Sequence, residues 1–353
     1  MNQQNAPTSV PPRQLPLVVR LNAKLAGILT SLPTPILRVL GKKVNSDGNV
    51  LDADVAASHL ALSIVSPKNW YELPPREGRT LVNNEAHMGA LTYEPVGSAT
   101  EHFVEGVKVR HYRPAGKEDP SIPLPTVVFV HGGGWTLGSL DSHDSTCRWF
   151  CRRAEVAVLS VDYRLAPEAP FPAQLEDCVS CYRQLLKEGF LPERIAIAGD
   201  SAGGNLTFMT AIAAMKSGMP GPAALVMMSP ALSLAPLPNS THEERQARDP
   251  MIRLAWGQDV ERALKIPHDH PFANPLEQDL SKLPPSLIQV GDDEVLYDNS
   301  TWLVEAATAA GRTSELEVYL KRWHVFQAHA SLLPSSIKAL DRQVEFMKRH
   351  WAA

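Results

Sequence analysis

From residue 126 onward, short apolar runs recur between longer stretches with helical spacing. Thr126–Val130, Val156–Val161, Arg194–Ala198, Ala223–Ser229 and Ser286–Val290 are nearly all apolar, as strands buried on both faces of a parallel sheet are. Glu315–Leu320 is the last clear strand. Leu175–Glu188 is amphipathic, Leu206–Lys216 is rich in Ala, Met and Leu, and Ser300–Ala310 continues the series; these predict helices. Phe103–Tyr112 alternates like a strand, and a proline-rich connector follows over Arg113–Pro125. Strands alternating with helices predict an α/β fold with a mostly parallel central sheet flanked by helices.

The first ~90 residues differ, with helical signals and little strand character. Leu25–Leu40 is apolar but broken by Pro33, Pro35 and Arg38, which suggests a docking pair of helices rather than a span. Asp47-Gly48 marks a turn, and Ala53–Ser66 has helical apolar spacing. A second departure covers about 234–285, polar and punctuated by prolines, with Ile252–Lys265 its clearest helix. That is long for a connection inside a domain, so it predicts an excursion over the site. The expected organisation is a helical cap segment at 1–90 and an α/β core at 91–353, carrying the 234–285 excursion.

Composition narrows the class. A net charge of −4 in 353 residues gives no electrostatic reason to expect nucleic acid or an acidic membrane surface. No run is apolar enough for a membrane span. Met1–Pro16 lacks the basic-then-apolar order of a signal peptide, so a cytoplasmic protein is expected. The four cysteines include a C-x-x-C at Cys178 and Cys181. Both would lie on one face of the Leu175–Glu188 helix, where they read as inert core thiols rather than a redox or zinc pair.

The chemistry gathers at the ends of the predicted strands. Gly199-Asp200-Ser201-Ala202-Gly203 stands between a strand and a helix, the G-x-S-x-G pattern of a nucleophile elbow. The sharp turn lifts the Ser201 hydroxyl clear of the sheet, and the helix N-terminus faces the place where an oxyanion forms. Upstream, Thr126–Val130 ends in His131-Gly132-Gly133-Gly134-Trp135, a glycine loop whose bare N–H groups suit an oxyanion hole. Downstream, Ser286–Val290 delivers Asp292, Asp293 and Glu294, and Glu315–Leu320 leads to His324. Serine, acid and histidine in that order are the order of α/β-hydrolases. Asp292, Asp293 and Glu294 remain rivals for the acid.

His131–Trp135, Tyr163-Arg164-Leu165-Ala166-Pro167-Glu168 and Gly199–Gly203 together resemble the hormone-sensitive-lipase-like family of α/β-hydrolases, the bacterial family IV esterases. The resemblance runs from about Val107 to the end, and weakly covers Asp47-Gly48 to Asp52. It implies a serine carboxylesterase acting on short- to medium-chain acyl esters. Ser201 would be the nucleophile, His324 the base and Asp293 the acid. Gly133, Gly134 and Ala202 would supply the oxyanion hole, and Trp135 and Val325 would face the substrate. The family often has glycine where this chain has Val325, and a shorter acid motif than Asp293–Asp298. The implied partner is a small-molecule ester, with no metal or organic cofactor; a homodimer is left open. Glu168 and Asp200 are expected to be structural supports. The alternatives are an amidase or carbamate hydrolase of the same fold, and a non-catalytic receptor. Plant gibberellin receptors resemble the family but lack the histidine that this chain keeps.

Overall fold

The buried runs assemble into one nine-stranded sheet in a computed structural model. It describes residues 94–351, apart from short gaps at 234–236, 238, 253, 268, 271–272 and 331–332, and scattered earlier stretches, chiefly 8–10, 55–58 and 77–83. The strands are β1 (Thr8–Ser9), β2 (Ser98–Val104), β3 (Val107–Arg113), β4 (Thr126–Val130), β5 (Ala157–Asp162), β6 (Ile195–Asp200), β7 (Ala224–Met228), β8 (Ser286–Gly291) and β9 (Ser314–Tyr319). Their order is β1-β2-β3-β5-β4-β6-β7-β8-β9. From β5 to β9 all pairings are parallel, and the first three strands join antiparallel. Every residue of β4, β6, β7 and β8 is buried, which is why those runs carry no polar alternation.

Helices cover both faces. On one side α2 (Ala173–Lys187), α3 (Ala202–Lys216) and α6 (Tyr297–Ala309) enclose a core containing Val128, Ile197, Leu206 and Leu303. On the other, α1 (Asp144–Ala154) and α7 (Pro334–His350) pack Phe150, Cys151, Leu340 and Phe346 against Val127, Phe129 and Val226. Between β7 and β8 the chain makes the excursion, with α4 (His242–Gln246) and α5 (Leu254–Leu264). All four cysteines are buried free thiols, and burial raises the pKa of each.

Two expectations change. The alternating run 103–112 is a hairpin rather than one strand: Glu105 and Gly106 turn with φ of 46° and 87° between β2 and β3. Only Phe103 and Val104 of that run lie before the turn, too few for a period to reveal the reversal. The chain start also contributes β1, paired with β2 through Thr8↔Glu101. Most of Leu25–Leu40 lies outside the described residues, as does most of Ala53–Ser66. Residues 55–58 are helical, and Val55 and Ala56 pack with Trp323 and Phe326 beside the predicted histidine loop.

Three histidines, His131 buried and His111 and His329 half-buried, make the fold sensitive to acid. Burial holds His111 at about 4, His131 at about 3 and His329 at about 4, against an ordinary value of 6.5. Below pH 6.5 the unfolded chain takes up protons that the folded chain refuses, so stability is lost as pH falls from about 6.5 through 4. Melting temperature should therefore drop steadily across that window; a flat profile from pH 7 to 4.5 would contradict it.

Candidate active site

The parallel strands deliver the predicted site residues to one end of the sheet, where α/β folds place their ligands. At the end of β6, Ser201 has φ 52° and ψ −118°, and α3 starts at the next residue. A side chain rarely adopts this backbone. Its neighbours over-determine it: Ser201 donates its N–H to Met228 O, and its own carbonyl accepts from Ala231 N. The flanking glycines are required by space. A Cβ on Gly203 would collide with the Val130 carbonyl, and one on Gly199 would stand 2.5 Å from the carbonyl oxygens of Gly203 and Val130.

The glycine loop after β4 is tied to this elbow. Gly132 N donates to Asp200 Oδ1 at 3.1 Å, and His143 Nε2 lies 3.1 Å from the same oxygen. Burial opposes the Asp200 charge, but His143, His131 and the Gly132 N–H outweigh it and lower its pKa. Tyr163 donates its hydroxyl to the His131 carbonyl and stacks on that ring at 4.2 Å. Gly133 and Gly134 turn with φ of 115° and 58°. Among the described residues nothing accepts their N–H groups. Ala202 N is likewise at the uncapped start of α3. Helical residues 77–83 buttress the loop: Arg79 Nε donates to Thr136 O, and its guanidinium pairs with Glu168. Asp200 and Glu168 thus hold backbone and neighbours in place.

The carboxylate that meets the histidine is not the expected Asp293. Asp292 and Asp293 continue β8 alongside the chain leaving β9, their N–H groups donating to Tyr319 O and Arg322 O. There Asp292 Oδ1 accepts the N–H of Lys321, and Asp293 Oδ1 lies 3.8 Å from Arg248 Nη1. Glu294 sits on the turn and folds back. Its Oε2 accepts from Gly291 N at 2.9 Å and from Ser229 Oγ at 2.7 Å, which leaves Oε1 facing His324 Nδ1 at 3.4 Å. The carboxylate at the histidine is therefore Glu294, not Asp293.

His324 is buried and its pKa is raised above 6.5. Burial pulls it down, but the hydrogen bond and charge of Glu294, with the charges of Asp249 and Asp200, more than offset this. Ser201 Oγ and His324 make no direct hydrogen bond here; such bonds commonly tighten only with substrate bound. The Val325 N–H donates to Ser229 Oγ, so one hydroxyl holds both the acid and the histidine loop. Val325 has φ 49° and ψ 43°, a left-handed conformation costly for a β-branched residue and natural for glycine. It does not line the pocket beside Ser201, whereas Trp135 does.

Sequence reasoning missed Ser229 and Asp249. Ser229, at the end of β7, has φ 48°, and Asp249 comes from the excursion. Asp249 accepts from Met251 N, Ile252 N and Val295 N, tying the excursion to the acid loop. Burial, partly countered by His324, raises it to about 6. Among the described residues no group of His, Cys, Asp and Glu could hold a metal ion.

A strained serine, a carboxylate-held histidine and a bare glycine loop equip this end of the sheet for acyl transfer. The family model for the alpha/beta hydrolase fold matches residues 127–328, which include all three. The chain belongs to that family. An acetyl-hydrolase of Streptomyces hygroscopicus is 38% identical to this hydrolase over 63% of the chain and 75% of its own length. The carboxylic ester hydrolase LipN of Mycobacterium tuberculosis is 32% identical over 92% of the chain and 90% of its own. A solved esterase from the bacterial hormone-sensitive lipase family, 28% identical, superposes with a TM-score of 0.72 over 96% of the hydrolase and 100% of that structure. The motifs and the comparisons place the hydrolase in the same hormone-sensitive-lipase-like branch.

Proposed function

We propose that the hydrolase is a serine carboxylesterase in which Ser201, His324 and Glu294 form the triad. One observation carries the assignment: Glu294, fixed by Ser229 and Gly291, presents a carboxylate oxygen to His324 Nδ1. That bond fixes the tautomer that leaves Nε2 free to take a proton, and it stabilises the imidazolium that forms. Ser201 Oγ attacks the ester carbonyl as its proton passes to His324 Nε2. The oxyanion is held by the N–H groups of Gly133, Gly134 and Ala202; removing one such donor typically costs about 3 kcal/mol. His324 then returns the proton to the leaving alkoxide, the alcohol departs, and water attacks the acyl-enzyme with His324 again as base. The relatives named as acetyl-hydrolase and carboxylic ester hydrolase support this reading.

The same reading makes the first ~90 residues and the 234–285 excursion the roof of the pocket. Val55 and Ala56 pack beside the histidine loop, and Ile252, Trp256 and Val260 share a pocket with Ser201. A roof of this kind bounds the acyl chain, unlike an open lipase surface. No described helix is long and apolar enough to cross a membrane, and the substrate is a dissolved small-molecule ester. Activity on p-nitrophenyl esters from C2 to C16 should peak at roughly C2–C8, without a jump at the solubility limit. A maximum at long chains, or a jump on emulsified triglyceride, would move the assignment to a true lipase.

A further inference from the structure

The pocket beside Ser201 has a floor whose position sets how long an acyl chain can enter. Its walls include Gly134 from the glycine loop, Ala231 after β7, Leu296 from the acid loop, and Ile252, Trp256 and Val260 from the excursion. The nucleophile and an oxyanion donor both open onto it, but His324 is not one of its walls. The leaving alcohol must sit at His324, because His324 hands it the proton. A pocket that reaches Ser201 away from His324 is therefore the acyl side.

This pocket is small. Its volume is about 40 Å³, whereas pockets that take drug-sized ligands run to roughly 300–1,000 Å³. The indole of Trp256 is one of its walls and packs on Gly134. A Cβ placed on Gly134 would lie 2.5 Å from Trp256 Cη2, 2.6 Å from Cζ2 and 3.2 Å from Val260 Cγ2. The ring thus rests directly on the oxyanion loop. The wall that carries it is anchored: Asp249 accepts from Met251 N and Ile252 N on the approach to α5, and from Val295 N on the acid loop. An acyl chain that outgrows the pocket has to displace an aromatic ring packed against backbone.

We propose that Trp256 is the specificity-determining residue that closes the acyl pocket and confines the hydrolase to the shortest acyl groups, acetyl and propionyl. The inference rests on the carboxylesterase reading and narrows it. Esters of such acids with many alcohols would serve, because the restriction lies on the acyl side alone.

The test compares kcat/KM on p-nitrophenyl acetate, butyrate and hexanoate for the wild type, Trp256→Ala and Trp256→Phe. Adding or removing a methylene in an apolar pocket changes kcat/KM by about 10–200-fold. Wild-type kcat/KM should therefore fall at least ~10-fold from acetate to hexanoate. Trp256→Ala should raise the hexanoate-to-acetate ratio at least ~10-fold, with Trp256→Phe between the two. A wild type that takes hexanoate as well as acetate overturns the proposal. So does a folded Trp256→Ala with the wild-type ratio; should that variant not fold, an unchanged ratio in Trp256→Phe overturns it instead. Ester turnover with either result leaves the carboxylesterase reading standing. No turnover of any ester, with no phosphonate adduct on Ser201, removes both.

Discussion

Replacing Ser201 by alanine should lower kcat by about 10⁴–10⁶ while leaving the melting temperature close to that of the wild type. The size follows from the position. Ser201 is the residue between β6 and α3 that the fold holds at φ 52° and ψ −118°, and the start of α3 follows it directly. Stability should hold because the bonds that fix the elbow run through its backbone, to Met228 and Ala231. Relief of the strained conformation is small for alanine, which is also an L-residue. The check is a steady-state assay on an acetyl ester beside a thermal melt. An alanine variant within ten-fold of wild type would exclude Ser201 as nucleophile.

The second large effect separates two adjacent carboxylates. Glu294→Gln should lose about 10³–10⁴ in kcat, the scale seen when a triad acid becomes an amide. The amide can no longer hold the His324 tautomer or stabilise its charged form. Asp293→Asn should keep most of its activity, since Asp293 lies beside Arg248 while Glu294 is the carboxylate at His324 Nδ1. The pH profile carries the same distinction. The base acts when neutral, so kcat/KM should fall on acidification through a pKa above 6.5, the direction in which Glu294 pushes His324. Removing that carboxylate removes the main raising influence, so the residual activity of Glu294→Gln should lose its acid limb at lower pH. Asp293→Asn should leave the limb in place. A dead Asp293→Asn beside an active Glu294→Gln would reverse the assignment.

Much of the core was legible because its strands are buried on both faces. β4, β6, β7 and β8 show as apolar runs, and the elbow and glycine loop follow two of them directly. The acid was not legible. Asp292, Asp293 and Glu294 are adjacent, and the choice depends on backbone pairing with Tyr319 and Arg322, nearly thirty residues away. Spacing within one segment contains none of that information. The same holds for Ser229, Asp249 and Trp256, which matter through contacts between distant segments. The hairpin at Glu105-Gly106 was missed because only Phe103 and Val104 of the predicted run lie before the turn. α1 and α7 were missed although their signals are present: Cys147, Phe150, Cys151 and Ala154 share one face, as do Ile337, Leu340, Val344 and Met347. Their faces meet the sheet as such spacing requires.

The central claim, a covalent acyl-enzyme at the β6–α3 elbow, is met most directly by peptide mapping after treatment with a serine-directed phosphonate. The wild-type protein should lose activity in step with the appearance of one adduct, on the peptide containing Ser201. An acetyl ester present in excess should slow both together. An adduct on any other peptide that tracks the loss of activity would contradict the account, as would full ester turnover by protein that takes no adduct.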